Sequence, residues 1–115
     1  MLKIGHRGAK GYEPENTLIS FGKAIDLNVD GIELDVHLSL DGEIMVIHDK
    51  TIDRTTNGKG FVENFTSSQL KELDIPTLIE VLDLVNCNCL VNIELKGIGT
   101  AKPVIELISH YILEK

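Results

Sequence analysis

Glu33 and Asp35 stand two residues apart in GIELDVHLS, residues 31–39, and Glu94 stands in CLVNIELK, residues 89–96. Carboxylate oxygens gathered in one place hold a single hard cation, and an oxygen-only set suits Mg²⁺ or Ca²⁺ rather than Zn²⁺. His6 and His48 add two imidazoles, the side chains that exchange protons near neutral pH. Arg7, beside His6, offers a fixed, forked cation for a phosphate or a carboxylate. Lys96 follows Glu94 by two positions. A plainer reading is a salt-bridge cluster, with Glu94 paired to Lys96 or an acid paired to Arg7. Three acids, two histidines and an arginine together favour a site.

These residues meet only if strands carry them to one rim. In residues 31–39, Ile32, Leu34, Val36 and Leu38 alternate strictly with Glu33, Asp35 and His37, so one strand presents an apolar face and a chemical face. Asp41-Gly42 is a hairpin signal, and EIMVIHD, residues 43–49, is the expected return strand. A two-residue loop there pairs Leu40 with Glu43 and Asp35 with His48, with Cβ atoms roughly 4.5–5.5 Å apart. The competing view of the hairpin alone is a solvated acidic face. In residues 90–96, Val91, Ile93 and Leu95 face one side, and Leu90, Asn92, Glu94 and Lys96 the other. A first strand over Leu2–His6 brings His6 to the same rim.

Between the strands lie helical patterns. Asn16 or Thr17 caps a helix whose Leu18, Phe21 and Ile25 share a face, and Asn28 ends it. Residues 54–60, RTTNGKG, read as a loop and residues 66–73 as a short helical turn. Pro76 opens a helix with Leu78, Val81, Leu82 and Val85 as its buried stripe. Residues 102–115 close as a helix. Strands alternating with helices predict a parallel α/β layout, in which polar residues at the C-terminal ends of strands carry the chemistry.

A chain of 115 residues holds one domain with a modest core. A net charge of −7 argues against nonspecific nucleic-acid binding and against attachment to an anionic membrane surface. No apolar run approaches the roughly 20 residues of a membrane span, and Met1–Gly5 has no leader pattern, so the expected location is cytoplasmic. Cys87 and Cys89 form a lone Cys-Asn-Cys, expected to be reduced and structural.

Beyond these readings, the motifs carry a resemblance. HRG at 6–8, PENT at 14–17, ELDVHLSLDG at 33–42, VIHD at 46–49, DRTTNGKG at 53–60, IPTLIEVL at 75–82 and IELK at 93–96 resemble the glycerophosphodiester phosphodiesterase family, in that family's order. The motifs span nearly the whole chain. The resemblance implies a TIM barrel and metal-dependent hydrolysis of glycerophosphodiesters to an alcohol and glycerol 3-phosphate. It implies His6 and His48 as the acid–base pair, and Glu33, Asp35 and Glu94 as ligands of Mg²⁺ or Ca²⁺. It also implies Arg7 and Lys96 as phosphate contacts, with Glu15 and Asn16 supporting the first loop. Gly5 and Gly8 are expected to let the backbone pass close to the ligand and the next loop.

A complete barrel takes about 250 residues, so the expectation for residues 1–115 is the N-terminal part of one: a partial (β/α)8 barrel with the first strands and helices and a β-hairpin after the second strand. Such a piece is expected to self-associate or to pair with the missing barrel half. The family's longer segment between LKELD and IPTL, over part of the substrate entrance, is replaced here by a direct Asp74–Ile75 junction. The rival readings are a noncatalytic fragment that needs a partner chain and, more weakly, a related phospholipase acting on lysolipids.

Overall fold

The computed structural model describes residues 2–86, 89–97 and 99–114, the last three by backbone alone. Strand β1 (Ile4–His6) leads through a tight loop to helix α1 (Leu18–Asp26). Thr17 caps α1, its hydroxyl accepting from the Ser20 N–H at 3.2 Å. Asn28 adopts a left-handed φ just past the helix end, where Asn is tolerated.

The buried face of α1 is Ser20, Phe21 and Ala24, with Ile25 half-buried and Leu18 exposed. The expected Leu18–Phe21–Ile25 face is therefore rotated. The cause is Ser20, whose hydroxyl accepts from Ala9 N–H at 2.7 Å and donates to Arg7 C=O at 3.1 Å. That contact draws the small-residue side of the helix against the loop.

Strand β2 (Gly31–Leu38) is the centre of the sheet. Along one edge it pairs in parallel with β4 (Leu90–Leu95), placing Glu33 opposite Asn92 and Asp35 opposite Glu94. Its other edge is shared. β1 pairs in parallel with the first half, His6 opposite Glu33, and β3 (Ile44–Val46) pairs antiparallel with the second.

The hairpin differs from expectation by one residue. Leu38 pairs with Ile44, and Ile47 N–H donates to Asp35 C=O at 2.9 Å, so Ile47 and not His48 stands opposite Asp35. The loop spans Leu40, Asp41 and Gly42, with Gly42 at φ +80°. This is a turn followed by a left-handed residue, the usual three-residue hairpin connection. Ser39 stabilises it, donating to Asp41 Oδ1 at 2.5 Å and accepting from Glu43 N–H at 3.0 Å. The return strand is also shorter than residues 43–49. On its far side from β2, Val46 N–H donates to Pro76 C=O at 2.9 Å.

Two apolar clusters hold these elements. Ile32, Leu34 and Val36 pack with Phe21, Ala24, Leu78, Val81, Val85 and Val104, from α1, α3 (Leu78–Val85) and α4 (Ala101–Glu114). Leu82 joins this cluster half-buried, so the predicted stripe of α3 is present. Thr77 and Glu80 form a capping box at its start, and Asn86 ends it in the left-handed region. The second cluster, Met45, Ile47, Ile52, Val62, Leu70 and Ile75, lies beneath the segment leaving β3. A turn of 3₁₀-helix at Val62–Asn64 and helix α2 (Ser67–Lys71), capped by Thr66 and Gln69, complete it. Each fully buried aliphatic side chain contributes about 1.5–3 kcal/mol, so residues 47–75 form a packed unit and not a loose excursion.

Cys89 is half-buried against the first cluster, and burial raises its thiol pKa. Cys87 lies outside the described residues.

Candidate functional site

The alternation of β2 turns Glu33, Asp35 and His37 onto the face away from the helices, and all three are buried. The parallel register with β4 sets Glu94 directly beside Asp35. One carboxylate oxygen from each of Glu33, Asp35 and Glu94 lies within 4.8 Å of the others. These positions follow from strand period and register alone.

Packing three acids together is electrostatically unfavourable. Both Glu33 oxygens are buried without a hydrogen-bond donor. Burial, then the charges of Asp35 and Glu94, push the Glu33 pKa up to about 7. Glu94 is shifted downward, chiefly by its contact with Lys96 at 3.0 Å. The Glu94–Lys96 ion pair of the plainer reading is thus present alongside the cluster. Three oxygen donors and a buried carboxylate lacking partners fit a hard divalent cation.

His6 ends β1 with its Nε2 3.1 Å from Glu33 Oε2. That is ion-pair distance, and neither Glu33 oxygen accepts a hydrogen bond. The His6 side chain is 59% exposed, so it remains open to a ligand. Arg7 lies deeper. Its Nη1 donates to Glu15 at 3.2 and 3.3 Å, and its Nε is buried, unpartnered and 3.6 Å from Asp35 Oδ2. Asn16 donates from Nδ2 to Asp35 Oδ2 at 3.1 Å.

The loop that makes this possible is strained. Arg7 and Asn16 both take left-handed φ, +53° and +55°, and Asn16 N–H donates to Arg7 C=O at 2.8 Å. Such conformations cost of order 1–3 kcal/mol and concentrate at functional sites. Gly8, at φ +85°, and Gly5 serve the close packing of this loop. A Cβ at Gly8 meets Ser20 Oγ and the backbone of Ser20 and Phe21, while one at Gly5 meets Gly8 C=O and Ala24. These glycines admit the close approach of helix α1 and, at Gly5, of the first loop's own backbone.

His48 reaches the site after β3 ends, held at two points. Its C=O accepts from His37 Nε2 at 2.9 Å. Its Nδ1 lies 2.7 Å from Asp49 Oδ1. Asp49 is held well below the usual carboxylate range, first by Arg54 and then by His48, so it is ionised and only accepts. Nδ1 therefore carries a proton, and in the neutral imidazole the lone pair falls on Nε2. Asp49 and Arg54 were not among the residues expected from sequence, and His37, expected on the chemical face of β2, was given no role. Asp49 follows His48 directly and is the one that adjacency could have flagged.

A groove of about 590 Å³ lies beside the first turn of α1 and the Leu73–Pro76 connection. Glu15, Asn16 and His48 line it, and none of the three clustered acids does. Asp74, at φ +63°, makes the direct junction to Ile75.

A mainly parallel α/β sheet with acids, a histidine and an arginine at the C-terminal ends of its strands has the layout of a barrel's functional rim. The sequence profile of the Glycerophosphoryl diester phosphodiesterase family matches residues 6–113, and the chain belongs to that family. A glycerophosphodiester phosphodiesterase of Caldanaerobacter subterraneus subsp. tengcongensis is 46% identical over 99% of this chain and 55% of its own length. That alignment runs over 133 residues against the 115 of this chain, so the relative carries insertions absent here. A crystal structure of glycerophosphodiester phosphodiesterase from Thermotoga maritima superposes with a TM-score of 0.88 at 40% identity, over 93% of this chain and 49% of that one. An Oleispira antarctica phosphodiesterase, solved with the product sn-glycerol-3-phosphate, gives 0.76 at 34% identity, over 82% of this chain and 44% of that one. The fold is the expected partial (β/α)8 barrel, and the chain spans about half the length of the curated relatives it matches.

Proposed function

We propose that residues 1–115 are the N-terminal part of a barrel that hydrolyses glycerophosphodiesters to an alcohol and glycerol 3-phosphate, using Mg²⁺ or Ca²⁺ and the acid–base pair His6 and His48. The observation that carries this reading is the convergence of Glu33, Asp35 and Glu94, with both Glu33 oxygens buried and unpartnered. The three acids would hold the cation. When bound, it would offset the phosphate charge and polarise the reacting oxygen.

The chain's own groups divide the remaining work. The Arg7 guanidinium and the Lys96 ammonium draw the phosphate to the rim and offset its charge. The Nε2 lone pair of His48 takes or returns a proton, and His6, exposed at the end of β1, serves as its counterpart. One imidazole removes a proton from the attacking oxygen, water or the substrate's glycerol 2-hydroxyl. The other protonates the departing alkoxide, and where the 2-hydroxyl attacks, water then opens the cyclic phosphate with the same pair to give glycerol 3-phosphate. The substrate is a small molecule, and among the described residues no helix is long and apolar enough to cross a membrane.

The test is hydrolysis of glycerophosphocholine by the purified chain, with and without added divalent metal. Metal-dependent release of glycerol 3-phosphate is expected, lowered roughly 10²-fold or more by His6→Ala or His48→Ala. Near-normal turnover in either variant, or turnover indifferent to chelator, would contradict the assignment. A second reading, a noncatalytic piece that needs a partner chain, is favoured by the half-length match to the relatives. It predicts metal binding without turnover until a chain bearing the remaining strands is added.

A further inference from the structure

The DRTTNGKG segment has no part in the site as expected from sequence, yet its arginine touches both loops that carry the histidines. Arg54 donates from Nη1 and Nη2 to the two Glu15 oxygens at 2.9 and 2.8 Å. It donates from Nε and Nη2 to the two Asp49 oxygens at 2.8 and 3.1 Å. Glu15 also receives Arg7, and Asp49 receives His48. The loop bearing Arg54 is built to stay in place. Ile52 is buried, its N–H donates to Gly60 C=O at 3.0 Å, and Thr56 N–H returns to Ile52 C=O at 3.1 Å.

We propose that Arg54 is a positioning residue, which fixes the His48 imidazole through Asp49 and locks it to the first loop through Glu15. The proposal rests on the reading that His48 transfers a proton. An isolated exposed ion pair contributes little. Here one planar cation spans two carboxylates, each in a two-point contact, a geometry open to guanidinium and closed to ammonium. With Arg54 in place, Asp49 cannot swing away, Nδ1 keeps the proton, and Nε2 stays free and aimed. Without it, Asp49 turns to solvent and the ring loses the contact that selects its tautomer. His37 then holds only the His48 backbone.

The experiment uses the full chain and the variants Arg54→Met, Arg54→Lys and Asp49→Asn. Long-range ¹H–¹⁵N correlation spectra report the His48 tautomer whether or not the protein turns over substrate. The wild type is expected to show Nδ1–H. All three variants should shift His48 toward Nε2–H while His37 resonances stay in place. Where glycerophosphocholine is hydrolysed, kcat should fall roughly 10–100-fold, the scale for residues that orient a ligating or catalytic group, with KM changed by less than about twofold. Arg54→Lys should not restore it. An unchanged His48 tautomer in Arg54→Met and Arg54→Lys overturns the proposal, as does full activity in Arg54→Lys. A tautomer shift in the Arg54 variants of a chain that shows no turnover supports the positioning role and counts against the functional reading alone.

Discussion

Glu33 carries two buried oxygens without donors, and its pKa is pushed up to about 7 from 4.5 by burial and by Asp35 and Glu94. Between those values the folded, metal-free chain holds a proton that the unfolded chain has released. Stability then falls as pH rises, by at most about 1.4 kcal/mol per pH unit. The groups shifted downward act elsewhere. Asp41, lowered to about 2 from 3.8 by Ser39 and Ser67, loses its contribution only as pH falls through that lower range. Metal-free protein should therefore resist urea better near pH 5 than near pH 7.5, and Mg²⁺ or Ca²⁺ should recover the loss at the higher pH. Glu33→Gln should flatten that slope and weaken cation affinity at least roughly tenfold, read by calorimetric titration. A slope of the opposite sign, or unaltered affinity in the variant, would contradict the cation site. The acids were legible because strand alternation assigns a face to every second residue. Arg54 was not, because its pairing with Glu15 joins residues 39 apart in sequence through packing that no local pattern encodes.

Elements were easier to find than to place. Each predicted strand and helix formed, because apolar spacing and caps such as Thr17, Thr66 and Thr77 act locally. The hairpin register was misplaced because Asp-Gly serves both two- and three-residue loops. The choice here rests on Asp41, whose carboxylate accepts from Ser39 Oγ, Ser67 N–H and Ser67 Oγ, the last two at 2.9 and 2.8 Å. A one-residue slip reverses every face of a strand, but His48 lies beyond the end of β3 and is held by Asp49 and His37, not by a strand face. Two glycines should respond unequally to alanine. At Gly42 an added Cβ meets nothing, so only the left-handed backbone is strained, at about 1 kcal/mol. At Gly8 the same backbone cost is joined by collision with Ser20, including its backbone carbon at 2.9 Å. Gly8→Ala should cost at least roughly twice as much in urea denaturation and should also loosen Arg7. Equal losses would mean that α1 yields more easily than its packing indicates.

At the scale of the molecule, β2 is saturated and its neighbours are not. β1 and β4 each pair with β2 along one edge, and among the described residues no strand pairs with their outer edges. Apolar side chains cluster at those edges: Leu2 is 66% exposed, Ile4 50%, Leu90 65% and Leu95 47%. Alternating strands and helices made the parallel α/β layout legible, since parallel pairing follows from the crossovers, and the family resemblance supplied the barrel. The exposure of β1 and β4 follows from the same expectation, since the first strands of a partial barrel leave both outer edges unpaired. A closed barrel removes every such edge. Open edges flanked by apolar residues instead pair with another chain, and a second copy of this one offers the same edges in return. The 115-residue chain, studied by itself, should therefore sediment as a dimer or larger species at micromolar concentration. Lysine at Ile4 and Leu90 should shift it toward monomer, because a charge beside an unpaired edge blocks edge-to-edge pairing. A soluble, well-folded monomer in the unsubstituted chain would contradict this expectation. It would mean that β2 and the two apolar clusters hold three βα units together while β1 and β4 tolerate water along their open sides.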